Sequence, residues 1–179
     1  MPVFASVTAY GDLCAGTLGP LSLNPVGASL PFAGETFQMD IDNVTVFAPV
    51  LRWVGVSKMQ INGPPLPLSL HVYRMPGCFA YMSGNVRLLA PANITTGVGY
   101  WSLLIPLNLD FLSIHQQLQE MALELGSARG GTKTNGLDVK FGNRGCRRRW
   151  WSRDLWQRAK SFGQCAACRT TAADGRRST

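Results

Sequence analysis

The sequence predicts an all-β fold: an antiparallel, jelly-roll-like sandwich with one helix, followed by a basic tail that is largely disordered or helical. Short alternating or β-branched runs recur at intervals of roughly 8–15 residues, and clusters of Gly, Pro and Asn separate them. The intervals leave no room for helices between the strands. This rhythm is typical of antiparallel sandwiches and jelly rolls.

Two segments alternate strictly between apolar and other residues. In Leu66–Arg74 the apolar side chains fall at every second position, which predicts a strand buried on one face. Thr36–Ile41 alternates in the same way. Three further strands are predicted from short β-branched or aromatic runs, at Val44–Phe47, Leu51–Val56 and Gly99–Ile105.

One helix is predicted to close the body. Asp110 is a suitable N-cap and Gly126 a suitable stop. Between them the apolar residues are spaced by three and four positions, as on one face of a helix. We expect this face to pack on the sheet, with a helix–helix contact between subunits as the alternative. The apolar residues are Phe111, Ile114, Leu118, Met121 and Leu125.

The charge distribution divides the chain. Residues 1–126 carry four basic and seven acidic side chains, and residues 127–179 carry thirteen basic and three acidic ones. We therefore predict a body over 1–126 with its closing helix, and a basic Arg/Trp-rich tail over 127–179. The polar segment Gly130–Gly136 is expected to be a flexible link between them.

The tail contains the candidate binding site. Arginine side chains make bidentate contacts with phosphate, and indole rings provide surfaces on which unpaired bases stack. The combination predicts RNA binding. The alternatives are an anionic membrane surface, where Trp and Lys/Arg also bind, and a solvated tail whose tryptophans dock on the body. The candidate nucleic-acid-binding residues are Arg144, Arg147, Arg148, Arg149, Trp150, Trp151, Arg153, Trp156, Arg158 and Lys160.

The cysteines predict neither a disulfide framework nor a cofactor. There are five of them, an odd number, and they are scattered along the chain, which favours a reducing compartment. Cys165 and Cys168 have the spacing of zinc ligands, but the tail offers only Cys146 besides them, fewer than the four ligands of a structural site. The N-terminus lacks the pattern of a secretory signal, so secretion is not expected.

No catalytic constellation is predicted, and the chain is not expected to be an enzyme. A nucleophile–base pair would need one of the two histidines, His71 or His115. His71 is expected on the strand face opposite the apolar stripe, and His115 on the exposed side of the helix. The sequence also has no glycine-rich phosphate loop.

The segment Met75–Leu89 resembles a recurring piece of picorna-like capsid proteins, especially those of the dicistrovirus type. In that pattern an aromatic-rich segment precedes a strand of the jelly roll, and Tyr100–Ile105 follows at the place of the next strand. The resemblance implies a self-associating shell protein with RNA inside, located in the virion or the host cytoplasm. A small accessory RNA-binding regulator is the alternative. The matching residues are Phe79, Tyr81, Gly84, Val86 and Arg87.

Overall fold

The computed structural model of the chain describes residues 3–90, 97–124 and 130–144, and this part of the chain is all-β. Its helical segments are two short 3₁₀ turns, His71–Tyr73 and Leu109–Phe111. The strands are β1 (Ser6–Tyr10), β2 (Cys14–Gly16), β3 (Gly19–Pro25), β4 (Thr36–Asp42), β5 (Val50–Gly55), β6 (Leu68–Ser69), β7 (Phe79–Ala80), β8 (Val86–Ala90), β9 (Val98–Leu104), β10 (His115–Ala122), β11 (Thr132–Lys133) and β12 (Gly136–Lys140).

The strands form two main antiparallel sheets. The first sheet has the order β1-β12-β10-β5-β8, with β11 paired to one end of β10. The second sheet has the order β2-β3-β4-β9, and β6 and β7 form a separate short ladder. Every pairing between these strands is antiparallel, which confirms the predicted all-β, antiparallel architecture.

The main core is built from alternate residues of the strands. In β4, Phe37, Met39 and Ile41 are buried, because successive side chains of a strand point to opposite faces. In β5, Val50 and Val54 pack in this core, whereas Trp53 belongs to a second apolar cluster. The first sheet therefore has apolar contacts on both of its faces. The second cluster contains Cys14, Trp53, Ile61, Leu70, Met75, Cys78, Ala80 and Met82.

Three of the predicted strands are confirmed and two are wrong. The confirmed strands are β4, β5 and β9. Leu66–Arg74 contains only the two-residue strand β6 followed by a 3₁₀ turn, which ends at Arg74 in the left-handed region, with φ of 60°. Val44–Phe47 is a turn in which Val44 is fully buried and Phe47 is exposed. In both segments the side chains have the composition of a strand, but the backbone turns.

The predicted helix over 110–125 is wrong, because this segment contains β10, a central strand of the first sheet. Leu118 and Ala122 face the main core, and Met121 packs against the second cluster. Two intervening polar residues, Gln119 and Glu120, are fully buried. A strand covered on both faces loses the apolar–polar alternation that would identify it, so the remaining apolar positions resemble a helical stripe.

The flexible link predicted at Gly130–Gly136 is also wrong, because β11 and the start of β12 occupy it. Three of its polar side chains, Thr132, Thr134 and Asn135, are buried and hydrogen-bonded to backbone groups. Asn135 Oδ1 accepts from Leu23 N at 2.8 Å, and Thr132 Oγ1 donates to Cys14 O at 3.1 Å. Buried polar groups are tolerated where each finds such a partner. The polar composition of this segment therefore did not prevent its burial inside the fold.

One disulfide corrects the prediction from the cysteines. Cys14 and Cys78 are bonded, with their Cα atoms 5.0 Å apart and a sequence separation of 64. Both are buried in the second apolar cluster. An odd number of scattered cysteines argues against a framework of several bridges, but tertiary folding brought one distant pair together.

The compact unit runs from Val3 to Asn143, beyond the boundary predicted at Gly126. Its two ends are joined by hydrogen bonds, because Val3 N donates to Asn143 Oδ1 at 2.7 Å and Asn143 N donates to Val3 O at 2.9 Å. Arg144 and the residues after it belong to a second unit. Within the described ranges, no helical segment reaches the length and hydropathy that a membrane-crossing helix requires.

Candidate functional site

The predicted RNA-binding residues lie at the end of the chain. Arg144 is exposed and is the last residue that the structure describes. The other nine candidates fall outside the described residues, so their role stays a prediction. They are Arg147, Arg148, Arg149, Trp150, Trp151, Arg153, Trp156, Arg158 and Lys160.

The boundary at Asn143 changes the charge balance of the two parts. Residues 3–143 carry seven basic and eight acidic side chains, a formal net charge of −1. Residues 144–179 carry ten basic and two acidic ones, a net charge of +8. Three basic residues that the sequence analysis assigned to the tail, including Lys133, therefore belong to the body. The excess of positive charge is concentrated in the last 36 residues.

The segment that resembles capsid proteins packs beside Trp53. Gly84 has a φ of +57°, and a Cβ at this position would lie 2.8 Å from Trp53 Cε3. The Arg87 guanidinium stacks on the indole with its Cζ 4.7 Å from the ring centroid. Tyr81 N donates to Gln119 Oε1 at 3.1 Å, which joins the segment to β10. In this fold the matching residues thus have structural partners in the first sheet.

Lys133 is a buried amine on the same side of the first sheet as Trp53. Its side chain is fully buried, and its Nζ lies 3.2 Å from the centroid of the Trp53 ring without a hydrogen-bond partner. Burial lowers the pKa of Lys133 to about 6, and the Arg87 charge acts in the same direction. Lys133 is therefore mostly neutral at pH 7. The sequence gives no signal for this residue, since it lies in a polar, glycine-rich segment.

Glu120 is a buried acid on the opposite face of the first sheet. Its Oε1 lies 3.3 Å from Arg52 Nε, and neither carboxylate oxygen has a hydrogen bond. Burial raises the pKa of Glu120 to about 7 against the lowering effect of Arg52. Arg52 in turn stacks on Trp101 at 5.1 Å and donates from Nη2 to Tyr100 O at 3.2 Å. These contacts connect β10 and β5 to β9 of the second sheet.

A charged cluster on the first sheet brings His115 next to an acid. His115 Nδ1 lies 2.9 Å from Asp138 Oδ1, and Lys58 Nζ donates to Asp138 Oδ2 at 2.5 Å. Burial raises the pKa of Asp138, but the hydrogen bonds from Lys58 and His115 outweigh it and hold the pKa below its ordinary value. Residue spacing could not reveal this pair, because β10 and β12 pair only in the folded chain.

The His115–Asp138 pair has the geometry of an oriented base, but in the described part of the chain it has no hydrogen-bonded nucleophile. Among residues 3–90, 97–124 and 130–144, no serine, threonine or cysteine side chain is hydrogen-bonded to His115. A hydrolytic site would need such a partner within hydrogen-bond reach. The same ranges contain no group of three or more potential metal ligands. Cys146, Cys165 and Cys168 lie outside the described residues.

Compared with protein-family models, with curated proteins and with solved structures, the chain matches none of them.

Proposed function

We propose that the chain is a structural subunit of a virion-like assembly whose cationic C-terminal segment binds RNA. The observation that carries the proposal is the charge partition: a net charge of +8 over residues 144–179 follows a sandwich with a net charge of −1. A segment of this kind releases counterions when it binds a polyanion. The body is antiparallel and all-β, as capsid-type jelly rolls are, and we place the protein in the virion or the host cytoplasm.

The residue types in the segment favour single-stranded RNA among polyanions. Three tryptophans alternate with arginines between Arg147 and Arg158. Arginine neutralises phosphate irrespective of base sequence, and stacking on indole requires bases that are not paired. Binding should therefore be strongly dependent on salt and weakly dependent on base sequence.

Titration of single-stranded RNA against salt tests the proposal. For Z neutralised phosphates, the logarithm of the association constant should fall with the logarithm of salt concentration at a slope of about −0.7Z. Replacing Arg147, Arg148 and Arg149 together by Gln should flatten this slope. The control is Arg74→Gln, which removes an exposed charge from the body and should leave the slope unchanged.

The tryptophans are tested separately from the charges. Trp150→Ala and Trp151→Ala should each weaken binding by about 1–3 kcal/mol per lost stack, with little change of the salt slope. A slope near zero, or tighter binding to vesicles of acidic lipid than to RNA, would overturn the RNA assignment in favour of membrane attachment. RNA binding by a strictly monomeric chain would instead favour the accessory regulator over the assembly subunit.

A further inference from the structure

Residues 56–85 form a covering segment on one face of the first sheet. They run from the end of β5 to the start of β8 and include β6, a 3₁₀ turn and β7. Side chains of this segment pack with Trp53 of β5 and Cys14 of β2 in the second apolar cluster. Val50 and Val54 of β5 belong to the main core instead. The covering segment therefore lies on the face of the first sheet that is turned away from the main core.

The covering segment has its own backbone structure. In the described part of the chain, β6 and β7 pair only with each other. Leu70 N also donates to Cys78 O at 2.9 Å, again within the segment. Contacts with the first sheet involve side chains, as where Gln119 bonds to the backbone of Phe79 and Tyr81. The segment can therefore separate from the sandwich without breaking a strand pairing of either main sheet.

The covered face contains polar groups that closure leaves unsatisfied. Trp53 Nε1 and Lys133 Nζ are buried and have no hydrogen-bond partner among the described residues. Burying such groups costs free energy, which contact with water recovers. Desolvation of these two groups thus opposes closure of the segment, and the packing of the second apolar cluster favours it.

A covalent bond ties the closed segment to the sandwich. Cys78, next to β7, is bonded to Cys14 at the start of β2, with the Cα atoms 5.0 Å apart. Thr132 Oγ1 donates to Cys14 O at 3.1 Å, which anchors this end of the bond to β11. Cys14 is only 3% exposed and Cys78 1%. A reductant therefore reaches the sulfur atoms only after the segment has begun to open.

We infer that Cys14 and Cys78 form a redox latch: the disulfide holds the covering segment on the first sheet, and the dithiol lets it open. To close the latch, one cysteine thiolate attacks glutathione disulfide and releases one glutathione. The other thiolate attacks the resulting mixed disulfide and releases the second. Two thiols are thereby oxidised, glutathione disulfide is reduced, and the two thiol protons pass to the released glutathione thiolates. Two glutathione molecules reverse both steps.

The latch distinguishes the two places named in the proposed function, and only in this respect does the inference rest on that function. The cytoplasm keeps thiols reduced, whereas the surroundings of an extracellular virion do not. The covering segment should therefore open readily in the cytoplasm and be fixed on the sheet in the released virion.

Hydrogen exchange of the full chain tests the latch. Cys146, Cys165 and Cys168 are replaced by Ser, so that dithiothreitol acts on one bond only. The measured quantity is the ratio of the amide exchange rates of residues 56–85 to those of β4, a core strand outside the segment. Reduction should raise this ratio roughly tenfold or more, because the segment opens while the sandwich stays closed. A disulfide that merely constrained the unfolded chain would speed exchange in both regions equally, and an unchanged ratio would overturn the inference.

A double variant provides the matched control. Cys14→Ser with Cys78→Ser, in the same background, should show the high ratio without reductant, and dithiothreitol should leave it unchanged. A response of this variant to dithiothreitol would contradict the assignment to this cysteine pair. If the variant fails to fold, the oxidised and reduced forms of its parent still decide. Reduction that unfolds β4 together with the segment would overturn the latch.

Equilibration with glutathione tests whether the bond switches. In a large excess of reduced glutathione, alkylation and mass spectrometry should find most chains with Cys14 and Cys78 as thiols, and in glutathione disulfide with the bond formed. A bond that persists in reduced glutathione, or thiols that stay free in glutathione disulfide, would overturn the inference. Neither measurement involves RNA or assembly. A failed latch therefore leaves the proposed function standing, and absent RNA binding leaves the latch standing.

Discussion

Two buried side chains with opposite pKa shifts should determine how stability depends on pH. Below pH 7 the native Glu120 holds a proton that the unfolded chain releases above about 4.5, so stability falls as the pH rises from about 4.5 to 7. Above pH 6 the native Lys133 has lost a proton that the unfolded chain keeps to about 10.5, so stability rises from pH 6 upwards. The two effects oppose each other between pH 6 and 7, where we expect a minimum of stability.

Lys133→Met should stabilise the protein and abolish the increase in its stability above pH 6. The variant buries an apolar chain of similar length where the wild type buries an unpartnered amine, so the free energy of unfolding at pH 7 should increase by about 1–3 kcal/mol. In the wild type the same free energy should rise between pH 7 and 9 by up to about 1.4 kcal/mol per pH unit. Urea unfolding at several pH values measures both effects. An equally steep rise in the variant would contradict this explanation.

Glu120→Gln should instead abolish the decrease in stability between about pH 4.5 and 7. Gln cannot ionise, so the free energy of unfolding should no longer decrease between pH 5 and 7, whereas the wild type loses up to about 1.4 kcal/mol per pH unit there. The matched control is Glu35→Gln, because Glu35 is only half-buried whereas Glu120 is fully buried. Urea unfolding at pH 5, 6 and 7 makes the comparison. If Glu35→Gln abolished this decrease as completely as Glu120→Gln, the pH dependence of the free energy of unfolding would not arise from Glu120.

Sequence alone predicted the apolar side chains of the core better than the buried polar ones. Phe37, Met39 and Ile41 were identifiable because an alternating strand with one buried face shows its period directly. Lys133 was not identifiable, because its burial depends on β11 pairing with β10 and on Trp53 covering its amine. Such tertiary contacts leave no trace in the spacing of residues.

Strand β10 shows how hydrogen bonding conceals an element from sequence analysis. Gln119 donates from Nε2 to Thr134 O at 2.7 Å and to Phe79 O at 3.1 Å. Its Oε1 accepts from Tyr81 N. One polar side chain thus joins β10 to the backbone on either side of it. These hydrogen bonds require a polar residue at position 119. A polar residue there makes the sequence of β10 unlike that of a buried strand.

Gln119→Leu should therefore destabilise the fold although it adds apolar volume. The two carbonyl groups lose a donor and Tyr81 N loses its acceptor, so we expect a loss of about 1–3 kcal/mol in the free energy of unfolding. The control is Gln38→Leu on the exposed face of β4, which should change the value by less than about 0.5 kcal/mol. Denaturant unfolding of both variants makes the comparison, and equal effects would refute the role of the Gln119 hydrogen bonds.

Charge distribution and fold divide the chain at different places. The composition changes near Gly126, but the compact unit continues to Asn143 because β12 pairs with both β1 and β10. Net charge reports the electrostatics of a segment and its partners, not its place in a fold. The sequence could therefore predict a cationic end and an all-β body, whereas the position of the boundary depended on pairings between distant strands.

Two truncations test where the body ends. A chain ending at Asn143 keeps both hydrogen bonds to Val3 and should unfold cooperatively, within about 1 kcal/mol of the full chain. A chain ending at Gly126 lacks β11 and β12, including the fully buried Leu137 and Val139. Losing such core side chains costs about 2–5 kcal/mol each, and a domain is stable by only about 5–15 kcal/mol. The shorter chain should not fold, as near-UV circular dichroism and thermal unfolding would show. Cooperative unfolding of the chain ending at Gly126 would instead return the boundary to the position predicted from charge.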